Sequence, residues 1–220
     1  MTPALEATNL YRFYHAGDDE ALALRGLSLA VEPGEVVAVT GPSGSGKSTL
    51  LACLAGLDEP DGGMVRVAGT PISRRPEQER AQVRARCIGM LYQSVNLIEH
   101  LTVAANIRMV QRLAGHASPR PVTELLESVG LAGRAHARPS QLSGGEAARA
   151  GLAVAVANDP PVVLADEPTG ELDTGSAERV LELLVDRAAA GGAVVVVTHN
   201  DAVAGAAHRV LRMSDGALET

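Results

Sequence analysis

Gly41-Pro-Ser-Gly-Ser-Gly46-Lys47-Ser48 constrains this chain more than any other stretch. It fits the pattern GxxxxGK[ST], in which glycine-rich backbone turns its N–H groups inward around a phosphate. The context agrees: the apolar run Val36–Thr40 reads as a buried strand, and Leu50, Leu51, Leu54 and Leu57 read as one face of a helix that follows. A strand, a glycine loop and a helix start place the positive end of the helix dipole at the anion. Lys47 is the single lysine of a chain with 19 Lys plus Arg, so every other cationic position is Arg. A compact ammonium on a flexible stem fits the centre of such a loop, where a planar guanidinium is too large. The Ser48 hydroxyl would ligate Mg²⁺ and Lys47 would reach the β- and γ-phosphates.

The rest of the chain supplies the sheet that such a loop needs. Val162–Ala165 and Ala193–Thr198 are continuous apolar runs, as expected of strands covered on both faces. Ser176–Ala190 between them reads as an amphipathic helix, and Gly145–Ala157 as a helix of small residues. Met64–Ala68 and Cys87–Tyr92 read as strands, 76–86 as a solvated Arg-rich helix, and residues 1–40 as short strands and turns. From about 95 to 140 the pattern is helical, with Leu101–Leu113 and Val122–Val129 punctuated by Pro119, Pro121 and Pro139. Strands alternating with helices imply a mostly parallel sheet with helices on both faces.

Polar groups stand where the strands end. Val162-Val-Leu-Ala-Asp166-Glu167 closes on two carboxylates: Asp166 is placed to partner Mg²⁺ and Glu167 to polarise a water at the γ-phosphate. His199 follows the run ending at Thr198, and Gln93 follows Tyr92. The formal charge of −7 argues against a general nucleic-acid surface, so no nucleic-acid partner is expected. Cys53 and Cys87 have no Cys or His cluster around them and read as small buried apolar residues in a reducing compartment. No apolar stretch approaches the roughly 20 residues needed to cross a bilayer. Neither a leader at Met1 nor a regulatory domain after the last strand is expected.

Gln141-Leu-Ser143-Gly144-Gly145-Glu146 resembles the LSGGQ signature of ABC-transporter ATPases. The phosphate loop (Walker A), Gln93, the signature, Asp166-Glu167 (Walker B), Leu172-Asp173 and His199 stand in that family's order across essentially the whole chain. The resemblance implies an α/β P-loop NTPase (RecA-like) core with a parallel sheet, an N-terminal antiparallel β subdomain and an inserted α-helical subdomain. It implies one ATP-binding domain over residues 1–220, with the helical signature subdomain at approximately 95–145. Residue by residue, Gly41, Pro42, Ser43, Gly44, Ser45, Gly46, Lys47, Ser48 and Thr49 resemble the phosphate and Mg²⁺ contacts. Gln93 resembles the glutamine that senses Mg²⁺ and the attacking water, Glu167 the catalytic base and His199 the switch histidine. Ser143, Gly144 and Gly145 resemble the groups that touch the ATP of a second copy, and Asp173 the interface aspartate. Tyr14 matches the adenine-stacking aromatic, with Tyr11 the alternative. Two departures stand out. Glu146 replaces the usual Gln and adds a carboxylate near a triphosphate, and Glu171 stands where Asn is common.

Ala23-Leu-Arg-Gly-Leu-Ser-Leu, Tyr92-Gln-Ser-Val-Asn-Leu-Ile-Glu-His-Leu-Thr-Val and Arg138-Pro-Ser-Gln-Leu-Ser-Gly-Gly look like the group serving macrolide export, lipoprotein release and cell division in bacteria. That group implies an ATP-hydrolysing subunit, peripheral on the cytoplasmic face of the membrane, which pairs with a second copy and drives a separate integral-membrane permease. Export or extraction of a substrate is the expected direction. A force-transmitting ATPase of a cell-division complex is the alternative. Leu97, Ile98 and Leu101 are expected either to line a groove for the permease or to pack the helical subdomain's own core. A coiled-coil DNA-repair ATPase is excluded, because the interval between Lys47 and Asp166 holds only the helical segment.

Overall fold

A central sheet is built from the apolar runs that mark its strands: β3 (Val36–Thr40), β6 (Ile88–Leu91), β7 (Val162–Asp166), β8 (Ala193–Val197), β9 (Arg209–Ser214) and β10 (Ala217–Leu218). The computed structural model describes residues 2–16, 19–94, 96–115 and 120–219; Pro119 lies outside them. The strand order is β10-β9-β3-β8-β7-β6, and β9, β3, β8, β7 and β6 run parallel. Their side chains alternate between two cores. Val37, Val39, Val162, Leu164, Val195 and Val197 face one cluster, and Val163, Ala165, Val194 and Val196 face the other. That alternation, with nearly every position buried, is why these strands read as continuous apolar runs rather than as apolar–polar repeats. Each fully buried Val or Leu contributes roughly 1.5–3 kcal/mol relative to exposure.

The first core is closed by α1 (Lys47–Leu54) and an antiparallel sheet of order β2-β1-β4-β5, with β1 at Leu5–Ala16, β2 at Asp19–Val31, β4 at Gly62–Val67 and β5 at Thr70–Pro71. β1 and β2 are 12 and 13 residues long, not the short strands expected. The cause is irregular register: bulges fall between Ala7 and Leu10, Leu10 and Tyr11, and Arg12 and Phe13, and they break the period-2 pattern that a long strand would show. The second core is closed by α3 (Val103–Ala114), α4 (Val122–Ser128), α5 (Gly144–Ala155) and α6 (Thr174–Ala189). Leu97 is buried there with Val103, Ile107, Leu125 and Leu126, so it packs the helical segment's own core; Ile98 and Leu101 are half-buried. Polar α2 (Glu77–Cys87) has no buried residue, as its Arg-rich sequence suggests.

β9 and β10 were not foreseen. Their polar residues (Arg209, Arg212, Ser214) conceal the strand pattern, but Asp215-Gly216 is a two-residue hairpin turn with both φ positive (44° and 79°). Cys53 is buried as expected, its thiol pushed up to about 12 chiefly by burial, whereas Cys87 is half-buried. Among the described residues no helix is long and apolar enough to cross a membrane.

Candidate functional site

Register in the parallel sheet brings the strand ends together. Val39 pairs with Val197, Asp166 with Val197, and Leu91 with Ala165. The loops that leave β3, β6, β7 and β8 therefore emerge on one edge, the carboxyl edge at which open α/β sheets bind ligands. Gly41, Gln93, Glu167 and His199 all lie on it.

The loop from Gly41 to Gly46 wraps the start of α1. Lys47 Nζ donates to the carbonyls of Gly41 and Pro42, each at 2.8 Å, so the ammonium is drawn over the loop. Two of the glycines are required by what packs behind them. A Cβ on Gly41 (φ 149°) would stand 2.1 Å from the Met213 carbonyl oxygen, and one on Gly46 (φ 101°) 2.4 Å from that of Ala23. β9 and β2 therefore buttress the loop. The turn after β9 adds a hydrogen bond from Gly216 N–H to the Ser45 carbonyl at 3.0 Å. Pro42, Ser43 and Gly44 are exposed on its outer face.

Asp166 closes β7 beside this loop, near Ser48 and Lys47. Burial, reinforced by the charge of Glu167, raises its carboxyl above the usual range, while Lys47 and Ser48 oppose that shift. Ser48, in the first turn of α1, and Asp166, at the end of β7, are hard oxygen donors of a kind that fits Mg²⁺. Gln93 hydrogen-bonds neither of them among the described residues. Its amide instead lies 3.5 Å from where a Cβ would stand on Gly170, in the loop that follows Glu167.

Glu167 and His199 form a pair. Glu167 N–H extends the β7–β8 ladder by donating to the Val197 carbonyl at 2.9 Å, and Glu167 takes a positive φ of 44°. A non-glycine residue held there costs of order 1–3 kcal/mol, and such strain clusters at functional sites. The carboxylate accepts from Thr198 Oγ1 at 3.1 Å and from His199 N–H at 3.0 Å, and it meets His199 Nδ1 at 2.6 Å. An ionised carboxylate can only accept, so Nδ1 carries the proton and Nε2 faces outward. The Glu167 side chain is 14% exposed and that of His199 73%. Thr198 is fully buried and was not anticipated; its signal was its position at the strand end, one residue before His199.

The two tyrosines separate. Tyr11 lies across Gly26 and Gly62 of the neighbouring strands, its hydroxyl 2.7 Å from a Cβ built on Gly26. Tyr14 lies near Thr49 of α1, and its hydroxyl donates to Asp58 Oδ2 at 2.6 Å. Burial and Asp58 raise its hydroxyl above the usual phenol range. Arg12, also unanticipated, stacks 4.7 Å over the Tyr14 ring and ion-pairs with Asp58 (2.8 Å) and Asp61 (3.1 Å).

The remaining site residues sit elsewhere. Ser143 is the N-cap of α5, with Gly144 and Gly145 its first two residues, and Asp173 is the N-cap of α6, accepting from Ser176 N–H at 3.0 Å. A Cβ on Gly145 would fall 2.2 Å from Ser176 Oγ, so the glycine lets the two helix starts touch. Among the described residues no hydrogen bond joins 143–145 or Asp173 to the phosphate loop. Glu146, expected as an added carboxylate, is paired with Arg134 at 2.7 Å.

The family model for "ABC transporter" matches residues 24–170. An uncharacterized ABC transporter ATP-binding protein of Thermotoga maritima is 44% identical, with 100% of this chain and 95% of that protein covered. The macrolide export ATP-binding/permease protein MacB of Chromobacterium violaceum is 40% identical over 97% of this chain, which spans 34% of that longer protein. The dimeric post-hydrolysis structure of the ATP-binding cassette MJ0796 bound to ADP and Pi superposes with a TM-score of 0.90 at 33% identity, covering 98% of this chain and 97% of that one. A phosphate loop, an acidic strand end with its histidine and a separate helix capped by Ser143 thus share one P-loop fold, and the chain belongs to the ABC transporter family as an ATP-binding, ATP-hydrolysing subunit.

Proposed function

We propose that two copies of the chain close over two ATP molecules and drive a separate integral-membrane permease. The observation that carries this is the division of the site. Lys47, Ser48, Asp166, Glu167 and His199 gather on the sheet edge, while Ser143, Gly144, Gly145 and Asp173 gather at two helix starts with no hydrogen bond to the loop. The signature then acts on ATP held by the other copy. MJ0796, at 33–34% identity, was solved as a dimer.

In this reading the loop amides and Lys47 hold the phosphates, and Tyr14, beside α1, stacks on adenine. Ser48, Asp166 and Gln93 would hold Mg²⁺, which when bound neutralises charge on the phosphates. Glu167 accepts a proton from the attacking water. His199 is oriented by Glu167 through Nδ1, and with its ring in the imidazolium form, both nitrogens protonated, Nε2–H would donate to the γ-phosphate. The start of α5 adds its dipole and N–H groups to the developing phosphate charge, which a single subunit's loop lacks. The helical segment that carries the signature forms a subdomain, and the permease docks on the groove lined by Gln93, Glu99, Ala148 and Leu172 between it and the sheet. The chain works at the cytoplasmic face of the membrane through that permease. MacB is named as an export ATP-binding/permease protein, and export is the direction proposed here.

Glu167→Gln tests the core of this proposal. The variant should bind ATP, lose turnover and sediment as a dimer with ATP present. A variant that binds ATP and stays monomeric at tens of micromolar protein counts against the two-copy site.

A further inference from the structure

The signature ends in Glu146, a carboxylate at a helix start that must receive phosphates. Ser143 and Glu146 form a reciprocal cap: Glu146 N–H donates to Ser143 Oγ at 3.2 Å, and Ser143 N–H donates to Glu146 Oε2 at 2.9 Å. The second carboxylate oxygen, Oε1, accepts from Arg134 Nε at 2.7 Å. Both oxygens are thereby engaged. Because Ser143 Oγ serves the cap as an acceptor, its hydroxyl proton remains available to an anion.

Arg134 is not a loose surface residue. It ends a turn at Ala132–Arg134 that follows buried Leu131. The next residues cap α3, because Val103 N–H donates to the Ala137 carbonyl at 2.9 Å and Ala104 N–H to that of Ala135 at 3.0 Å. The backbone carrying the guanidinium is thus pinned to one helix start while its side chain pairs at another. An exposed ion pair contributes little to stability, so its value must be sought in the charge it leaves at the site. A helix N-terminus carries about +0.5 of a charge. With Glu146 alone the local sum is about −0.5, which repels a triphosphate; with Arg134 it is about +0.5, which attracts one.

We propose that Arg134 is a positioning residue of the ATP sandwich: it neutralises and orients Glu146, so that the Ser143–Gly145 helix start stays both capped and electropositive toward the partner copy's phosphates. Ser143 N–H and Arg134 together hold the Glu146 carboxyl below the usual range, so the charge is present at neutral pH and needs a partner. The inference rests on the two-copy reading above.

The test uses the Glu167→Gln protein as parent and measures ATP-driven dimerisation by sedimentation velocity across protein concentration. Adding Arg134→Gln should weaken dimerisation on the order of 10-fold, since it reverses the local charge. Adding Arg134→Gln and Glu146→Gln together removes both charges and keeps a side-chain oxygen that can accept from Ser143 N–H; dimerisation should return to within about 3-fold of the parent. Raising salt should narrow the gap for the single change by screening the stranded carboxylate. Binding of a fluorescent ATP analogue to dilute monomer, and the melting temperature, should not change with Arg134→Gln. Arg134→Gln dimerising like the parent overturns the inference, as does a paired change that remains as weak as the single one, because Arg134 would then act on folding and not on charge. A parent that stays monomeric with ATP fails the two-copy site itself, and this inference with it.

Discussion

Thr198→Val probes how the carboxylate of Glu167, the proposed catalytic base, is held. The substitution keeps the β-branched shape in a site with 0% exposure, so it creates no cavity, and it removes only the hydroxyl. That hydroxyl donates to Glu167 Oε2 at 3.1 Å and accepts from Asn200 N–H at 3.0 Å, at the residue that caps the short helix α7 (Asp201–Gly205). A hydrogen bond to a charged group contributes about 1.5–3 kcal/mol and a neutral one about 0.5–1.5 kcal/mol. Water can reach the 14%-exposed Glu167 side chain and replace part of the first, so a net loss of about 2 kcal/mol is expected. For a chain of this size that lowers Tm by roughly 4–8 °C. Glu167 keeps its contacts to His199 but loses the one that fixes its second oxygen, and a carboxylate misplaced by about 1 Å can cost on the order of 100-fold in rate. Steady-state ATPase assays should therefore show kcat reduced by about 10- to 100-fold with KM for ATP little changed. Thermal unfolding measures the stability half of the effect, and Thr198→Ser, which keeps the hydroxyl, should restore most of kcat. A valine variant with wild-type kcat, or a serine variant as slow as valine, would show that Thr198 packs the strand end without orienting the carboxylate.

Two further outcomes follow from the site. Lys47→Arg should weaken ATP binding by on the order of 10- to 100-fold, because the guanidinium cannot occupy the space where the ammonium donates to both Gly41 and Pro42; fluorescent-nucleotide titration checks this, and near-normal affinity would sink the fit argument. Asp166→Asn should raise Tm of the nucleotide-free protein at pH 7 while abolishing hydrolysis. The folded-state carboxyl is raised above its unfolded value, so the ionised form is penalised and stability is lost as pH rises through the folded value; the amide removes that penalty, and a lowered Tm at pH 7 would contradict it.

The phosphate loop, Asp166-Glu167 and the signature were legible because each is a local string whose chemistry depends on neighbours in sequence. Asp166 could be assigned a role from its place after four apolar residues, since a strand has to end and the sheet edge is where polar groups can stand. Arg12, Thr198 and Arg134 were not legible in that way. Each acts on a residue that pairing or packing brings to it: Asp58 lies 46 positions from Arg12, and Glu167 lies 31 from Thr198. β9 and β10 escaped because their exposed positions carry arginine, and only the Asp215-Gly216 turn marks the hairpin. The separate settings of Tyr11, across Gly26 and Gly62, and Tyr14, beside Asp58, were not legible either, because the β1 bulges break the alternation that would have placed them.

The departure at Glu146 shows what a string comparison lacks. Read alone, a glutamate in place of glutamine adds a negative charge where phosphates must come, and the natural expectation is tolerance of a small electrostatic cost. In the fold the same carboxylate completes a reciprocal cap with Ser143 and takes an arginine from 12 positions upstream. Glutamine could supply the cap through its amide oxygen but would leave Arg134 without a charged partner. Glutamate and arginine together reproduce a neutral cap and fasten the turn at 132–134 to the signature helix. The substitution is therefore understood as half of a pair, and its consequence depends on a residue that no motif contains.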